Sequence, residues 1–179
     1  MERQLVESAR RGDREAYETL VRRKVDAVFR TALAVLGNEA DAHDAVQEAF
    51  LAAWRRLPSL RDADRFDAWL GRITVNACRM ALRRRRGVRE IPVADSTTAE
   101  LADLATSAFD AAAVSADAFD RAFGRLSVDQ RAILVLHHLD ALPITEIAAR
   151  LGIPGGTVKS RLHSARRALE RALAAEDRP

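Results

Sequence analysis

Apolar residues recur every three or four positions along most of this chain, the period of a helix that buries one face. After Asp13, which is suited to cap a helix start, Ala16, Leu20, Ala27, Val28 and Leu33 keep this spacing until Gly37 ends the run. A second helix opens at Asn38, with Glu39 and Asp41 in its first turn, where negative charge suits the helix dipole. It carries Ala45, Val46, Ala49, Phe50, Ala53, Trp54 and Leu57 on one broad face and stops at Pro58. After a polar loop, Ser59 to Arg65, a third helix runs from about Phe66 to Arg86. Phe66, Trp69, Leu70, Ile73, Ala77 and Ala81 form its stripe, and Arg72, Asn76, Arg79 and Arg83 fall largely off it.

From Gly87 to about Asp117 no amphipathic repeat is sustained. Ala, Ser, Thr and Asp dominate there, which predicts a flexible linker with one helical turn near Leu101 to Leu104. Order returns at Ala118. A short helix is expected from Phe119 to Leu126. Ser127 and Gln130 fit a capping box, opening a helix that runs to about His138. Pro143 is expected at the first position of a short helix ending at Leu151, and after the turn Gly152-Ile-Pro154 a long helix spans about Gly155 to Ala175. The fold class expected is all-α. Two small helical domains, 1–87 and 118–179, are joined by the acidic linker 88–117.

Composition supports this. Aromatics are only 5% of a chain that is 48% hydrophobic, too few strand formers and turn residues for a sandwich or barrel. The single cysteine, Cys78, excludes a disulfide framework and suits a reducing compartment. No N-terminal signal core and no run of about 18 apolar residues occurs, so neither secretion nor membrane insertion is expected and the location expected is cytoplasmic. No further domain is expected beyond Pro179.

Charge changes the picture more. The net charge of +3 conceals an uneven distribution: −2 over 1–53, +8 over 54–89, −7 over 90–120 without one basic residue, and +4 over 121–179. Two basic segments flanking an acidic one point to a polyanion partner. All the lysine is Lys24 and Lys159; the remaining positive charge is arginine, which suits phosphate and base edges.

The C-terminal stretch Thr145-Glu-Ile-Ala-Ala-Arg-Leu-Gly-Ile-Pro-Gly-Gly-Thr-Val-Lys-Ser-Arg-Leu-His163 reads as a helix-turn-helix. Ala148 is small where two helices cross, Gly152 permits the left-handed turn, and Ile147, Leu151, Ile153, Val158 and Leu162 face inward. The second helix then turns Lys159, Ser160, His163, Ser164 and Arg167 outward, as a major-groove helix does. Its first free N–H groups, near Gly156 and Thr157, favour a phosphate.

These residues resemble region 4 of the extracytoplasmic-function (ECF) sigma factors. Independently, Asp41-Ala-His-Asp44-Ala-Val-Gln47-Glu48-Ala-Phe50-Leu-Ala-Ala-Trp54 is similar to region 2.2 of that family. Phe66-Asp-Ala-Trp69-Leu-Gly-Arg-Ile-Thr-Val-Asn76, with the run Arg83 to Arg86, is similar to its regions 2.3 and 2.4. The resemblance covers about 140 residues in the right order. Met80, where the family often has an acidic residue, Pro143, where it often has Ser, and Ser164, where Arg is common, depart from it.

The resemblance implies a subunit that binds the core of bacterial RNA polymerase and directs it to promoters. Asp41, Asp44, Gln47 and Glu48 would meet the polymerase clamp helices. The loop Ser59 to Arg65 would hold a flipped promoter base. Asn76, Arg79, Arg83 and Arg84 would contact the promoter around its opening point at the minus-ten element. Thr157, Lys159, Ser160, Arg161, His163, Ser164 and Arg167 would serve the minus-thirty-five element. An anti-sigma factor is the further partner implied. The alternative is a two-domain helix-turn-helix regulator that is not a polymerase subunit. An activator of the response-regulator type would need strands in 1–87, and none is expected. An anti-sigma factor should lack the second DNA-reading helix.

Other signals are weaker. Trp54 and Trp69 could stack on unpaired bases, but their place on the apolar stripes favours core packing. His137, His138 and His163 lack a second ligand pair at metal spacing, so no metal or cofactor is expected. No nucleophile–base set or Gly-rich phosphate loop occurs, so no enzymatic activity is expected.

Overall fold

A computed structural model describes residues 1–86 and 116–176. The expected linker and its turn at Leu101 to Leu104 fall outside the described residues, except that the helix after it begins at Ala116, two residues before the expected boundary. Among the described residues every regular element is helical: α1 (Glu2–Arg10), α2 (Arg14–Leu36), α3 (Glu39–Arg56), α4 (Phe66–Arg86), α5 (Ala116–Arg125), α6 (Val128–Leu134), α7 (Ile144–Leu151) and α8 (Gly155–Glu176). No helix of the described residues is long and apolar enough to cross a membrane.

The helix ends follow local chemistry. The Asp13 carboxylate accepts from the Ala16 N–H at 3.1 Å, and the Asn38 side chain accepts from the Asp41 N–H at 2.9 Å; each cap stabilises its helix by about 1 kcal/mol. Gly37 closes α2 with φ 68°, a conformation that glycine adopts without strain. Ser127 and Gln130 make both bonds of the capping box that opens α6. A π-helical turn, Val135–Leu139, then widens the end of this helix. Pro143 is not the first residue of α7, as the sequence suggested, but its N-cap. Its ψ of 156° is extended, and its carbonyl accepts the first helical bond from the Ile147 N–H.

In the first half, α3 packs on α2 and α4, and α1 on α2. Leu20, Ala32, Val35, Ala42, Ala49, Ala53, Leu57, Phe66 and Cys78 close that core. In the second half α8 packs on α5, α6 and α7, over Ala122, Leu136, Ile147, Val158 and Ala165. The C-terminal end of α8 is clamped to α5, where Arg121 and Arg125 both pair with Glu176. The halves also touch: α4 lies against α7 and α6, and α2 against α6. Burial pushes the Cys78 thiol up to about 12, so it stays protonated inside the first half.

Candidate nucleic-acid and polymerase interfaces

The Asn38 cap sets the phase of α3. Ala42, Ala45, Val46, Ala49 and Ala53 turn inward. Asp44, Gln47 and Glu48 are consequently exposed, and Asp41 is half-buried in the first turn. Beside them runs an open groove of about 670 Å³ between α2 and α3, lined by Tyr17, Val21, Val25, Asp44, Gln47, Phe50, Leu51 and Trp54. The Tyr17 hydroxyl donates to the Phe50 carbonyl at 2.6 Å, and its ring lies 4.8 Å from Trp54. Desolvation pushes the Tyr17 pKa up to about 12, so it remains a donor. Trp54 was expected in the core; it is half-buried and forms a wall of this groove instead. Its helical stripe is broader than the core it covers. Trp69 does pack against the core, its ring 6.0 Å from Phe66. The apolar floor, with Leu51 45% exposed, and the carboxylate rim together form a surface suited to a helix with apolar and basic faces.

The segment 59–65 is held by two single turns of 3₁₀ helix, with Leu60 and Ala63 buried. Asp62 accepts from the Asp64 N–H, and Arg3 on α1 pairs with Asp64 at 2.9 Å. The first helix, which the hydrophobic pattern did not reveal, therefore braces this loop.

On α4, Asn76, Arg83 and Arg84 are exposed. Arg79 is turned inward: its Nη1 donates to the Asn76 side-chain oxygen at 2.8 Å, and its Nε pairs with Asp129 on α6 at 2.6 Å. Arg84 reaches Glu48 at 4.0 Å, joining the α4 basic end to the α3 acidic face.

The second half presents a closed helix-turn-helix. Gly152 takes φ 69° between α7 and α8, and Ile147 and Val158 are fully buried at the crossing. Leu162, Ala165 and Leu169 continue the inner face of α8. Lys159, Ser160, Arg161, His163, Ser164 and Arg167 are exposed, while Thr157 is half-buried and its carbonyl accepts from the Ser160 hydroxyl at 3.1 Å. Beside this face, His138 lies 3.4 Å from Arg166 and its ring 4.6 Å from His137. Burial holds both imidazoles below the ordinary histidine range, helped at His137 by the Arg166 charge and at His138 by His137 and then Arg166. The structure thus gathers the acidic residues of α3 on one face and the polar residues of α8 on another. It does not gather the α4 set into one open surface, because Arg79 is engaged elsewhere.

Two family models match the chain: Sigma-70 region 2 over residues 20–88 and Sigma-70, region 4 over residues 116–169. The chain is 38% identical over 162 residues to the ECF RNA polymerase sigma factor SigM of Mycobacterium tuberculosis, covering 90% of this chain and 79% of that protein. It is 28% identical over 176 residues to SigW of Bacillus subtilis, covering 94% of each. Among solved structures, CnrH in complex with the cytosolic domain of CnrY aligns with a TM-score of 0.64 at 28% identity over 97% of both chains. The sigma factor RpoE of Bartonella quintana, in complex with the anti-sigma factor NepR, aligns with a TM-score of 0.61 at 26% identity, covering 90% of this chain and 98% of that one. A region 2 bundle, a region 4 helix-turn-helix and relatives matched over most of their length leave one assignment: the chain belongs to the ECF sigma factors of RNA polymerase.

Proposed function

We propose that this sigma factor binds the polymerase core through the exposed face Asp44, Gln47 and Glu48 with Asp41, and through the apolar groove beside it. The bound chain places α4 at the minus-ten element, with Asn76, Arg79, Arg83 and Arg84 toward the promoter. It places α8 in the major groove of the minus-thirty-five element, with Lys159, Ser160, His163 and Ser164 toward base edges and Thr157, Arg161 and Arg167 toward the backbone. The observation that carries this reading is α8. Its apolar face is closed against the rest of the helix-turn-helix, while Lys159, Ser160, His163, Ser164 and Arg167 stay exposed on its other side.

On this reading the chain is an initiation factor without catalysis of its own, acting in the cytoplasm. Its similarity to the sigma factor RpoE, solved in complex with the anti-sigma factor NepR, supports an anti-sigma factor as a further partner. Run-off transcription with purified bacterial core polymerase on a promoter library tests it. The expected result is a discrete set of transcripts that depends on the added chain. Transcripts independent of the chain, with promoter duplex bound tightly in the absence of core, would instead select the regulator reading.

A further inference from the structure

Polar contacts tie the two halves together at the helix expected to open promoters. Arg79 on α4 pairs with Asp129 on α6 at 2.6 Å, both side chains only about a third exposed. Thr31 on α2 donates to Asp140 at 2.9 Å, and Arg131 on α6 donates to the Val35 carbonyl of α2 at 3.1 Å. Helix α7 approaches α4 closely: a Cβ on Gly71 would stand 2.8 Å from Cδ of Arg150. The helix-turn-helix is thus seated on the same helix that carries Asn76, Arg79 and Arg83.

This arrangement is not the promoter-bound one. Elements at minus ten and minus thirty-five are separated by about 25 base pairs, or about 85 Å of duplex. A compact chain of this size is on the order of 40 Å across. With α4 against α7, the two readers cannot reach both elements of one promoter.

We infer that Asp129 is an internal competitor of promoter DNA, a carboxylate that occupies the Arg79 guanidinium in the closed chain where a phosphate would sit in the open one. The inference rests on the promoter-directing role assigned to α4 above. A carboxylate offers a guanidinium the same charge sign and the same paired acceptor oxygens as a phosphate. Arg79 cannot serve both at once. Asp129 also lies in the first turn of α6, where the helix dipole favours a negative side chain. The closed chain therefore has one promoter contact already filled, and polymerase binding, by separating the halves, empties it.

A double-mutant cycle on the full free chain tests this, with a random single strand of about 20 nucleotides as the probe. Asp129→Ala is expected to tighten binding about fivefold, by removing the competitor. Asp120→Ala removes the same charge from the exposed face of α5 and controls for net charge; it is expected to change binding far less. In an Arg79→Ala background the gain from Asp129→Ala is expected to vanish. A gain equal to that of Asp120→Ala, or one that persists without Arg79, overturns the inference. If Asp129→Ala loses helicity, Asp129→Asn, which keeps an acceptor at the helix start, is held to the same expectation. The cycle uses no polymerase, so a chain that fails in run-off transcription yet shows the coupling loses the assigned function and keeps the competition at Arg79.

Discussion

The guanidinium of Arg131 donates to the carbonyl oxygen of Val35, 96 residues earlier in the chain, across 3.1 Å. The same group donates to the carbonyls of Leu126 and Gly124, and it lies 6.0 Å from the Phe123 ring centre. These acceptors stand at the C-terminal ends of α2 and α5, where carbonyls lack helical partners and carry partial negative charge. One arginine, 6% exposed, satisfies both ends.

Arg131→Met should therefore destabilise the protein although it preserves bulk. Three backbone acceptors, in two buried bonds and one partly buried, lose a charged donor, and the expected cost is about 2–4 kcal/mol. Arg131→Lys, with one compact ammonium in place of a planar fork, should fall between the two. Urea unfolding measures both. A loss under about 0.5 kcal/mol for the methionine variant would mean that water replaces the guanidinium.

The α3 face gives a second prediction. Replacing Asp44 and Glu48 together by Lys should weaken binding to the polymerase core and leave the helicity unchanged, because both side chains are exposed. Like charges at an interface rim cost mainly association rate. Among the described residues Glu48 pairs with Arg84 at 4.0 Å, a contact that is largely solvated and contributes little. Competition for core against an unmodified chain reads the effect; equal competition with native circular dichroism would remove this face from the interface.

Much of this was legible in the sequence wherever a residue's role depends on its neighbours in the chain. The caps Asp13 and Asn38, the stop at Gly37, the capping box Ser127–Gln130 and the inward set Ile147, Val158 and Leu162 are all local. So was the outward face of α8, because a closed helix-turn-helix has one free side. Helix α1 was missed because Leu5, Val6 and Ala9 are too few to set a period among charged residues. Trp54 was misplaced because a helical stripe does not distinguish a core from an open groove. Arg131–Val35 and Arg79–Asp129 link positions 96 and 50 residues apart, and no periodicity encodes such pairs.

Acid should loosen the second half through its histidine pair. Burial first, then Arg166 at His137 and the His137 neighbour at His138, depress both pKa values in the folded chain, so the unfolded chain binds more protons once the pH falls below about 6.5. Stability contributed by the neutral rings is complete above that value and is lost as pH falls toward the folded values. His137→Asn with His138→Gln should flatten the fall in thermal midpoint between neutral pH and mildly acidic pH. An unchanged slope would place the acid sensitivity elsewhere.

The faces of α8 separate reading from positioning. Ser164 is exposed on the side opposite the buried Val158, Leu162 and Leu169, together with Lys159, Ser160 and His163. A major-groove helix turns the residues near its start to base edges. Arg167 lies almost a turn beyond Ser164 and is also exposed, where a phosphate is the nearer partner. Ser164→Arg should therefore change which minus-thirty-five sequences are used, because a bidentate arginine favours guanine by about 1–3 kcal/mol. Arg167→Ala should weaken all promoters about equally and lower the salt dependence of holoenzyme binding by about one phosphate. Selecting promoters from a randomised library with each mutant holoenzyme measures both effects at once. If Arg167→Ala shifts the preferred sequence while Ser164→Arg leaves it unchanged, the reading and positioning faces of α8 are the reverse of those proposed.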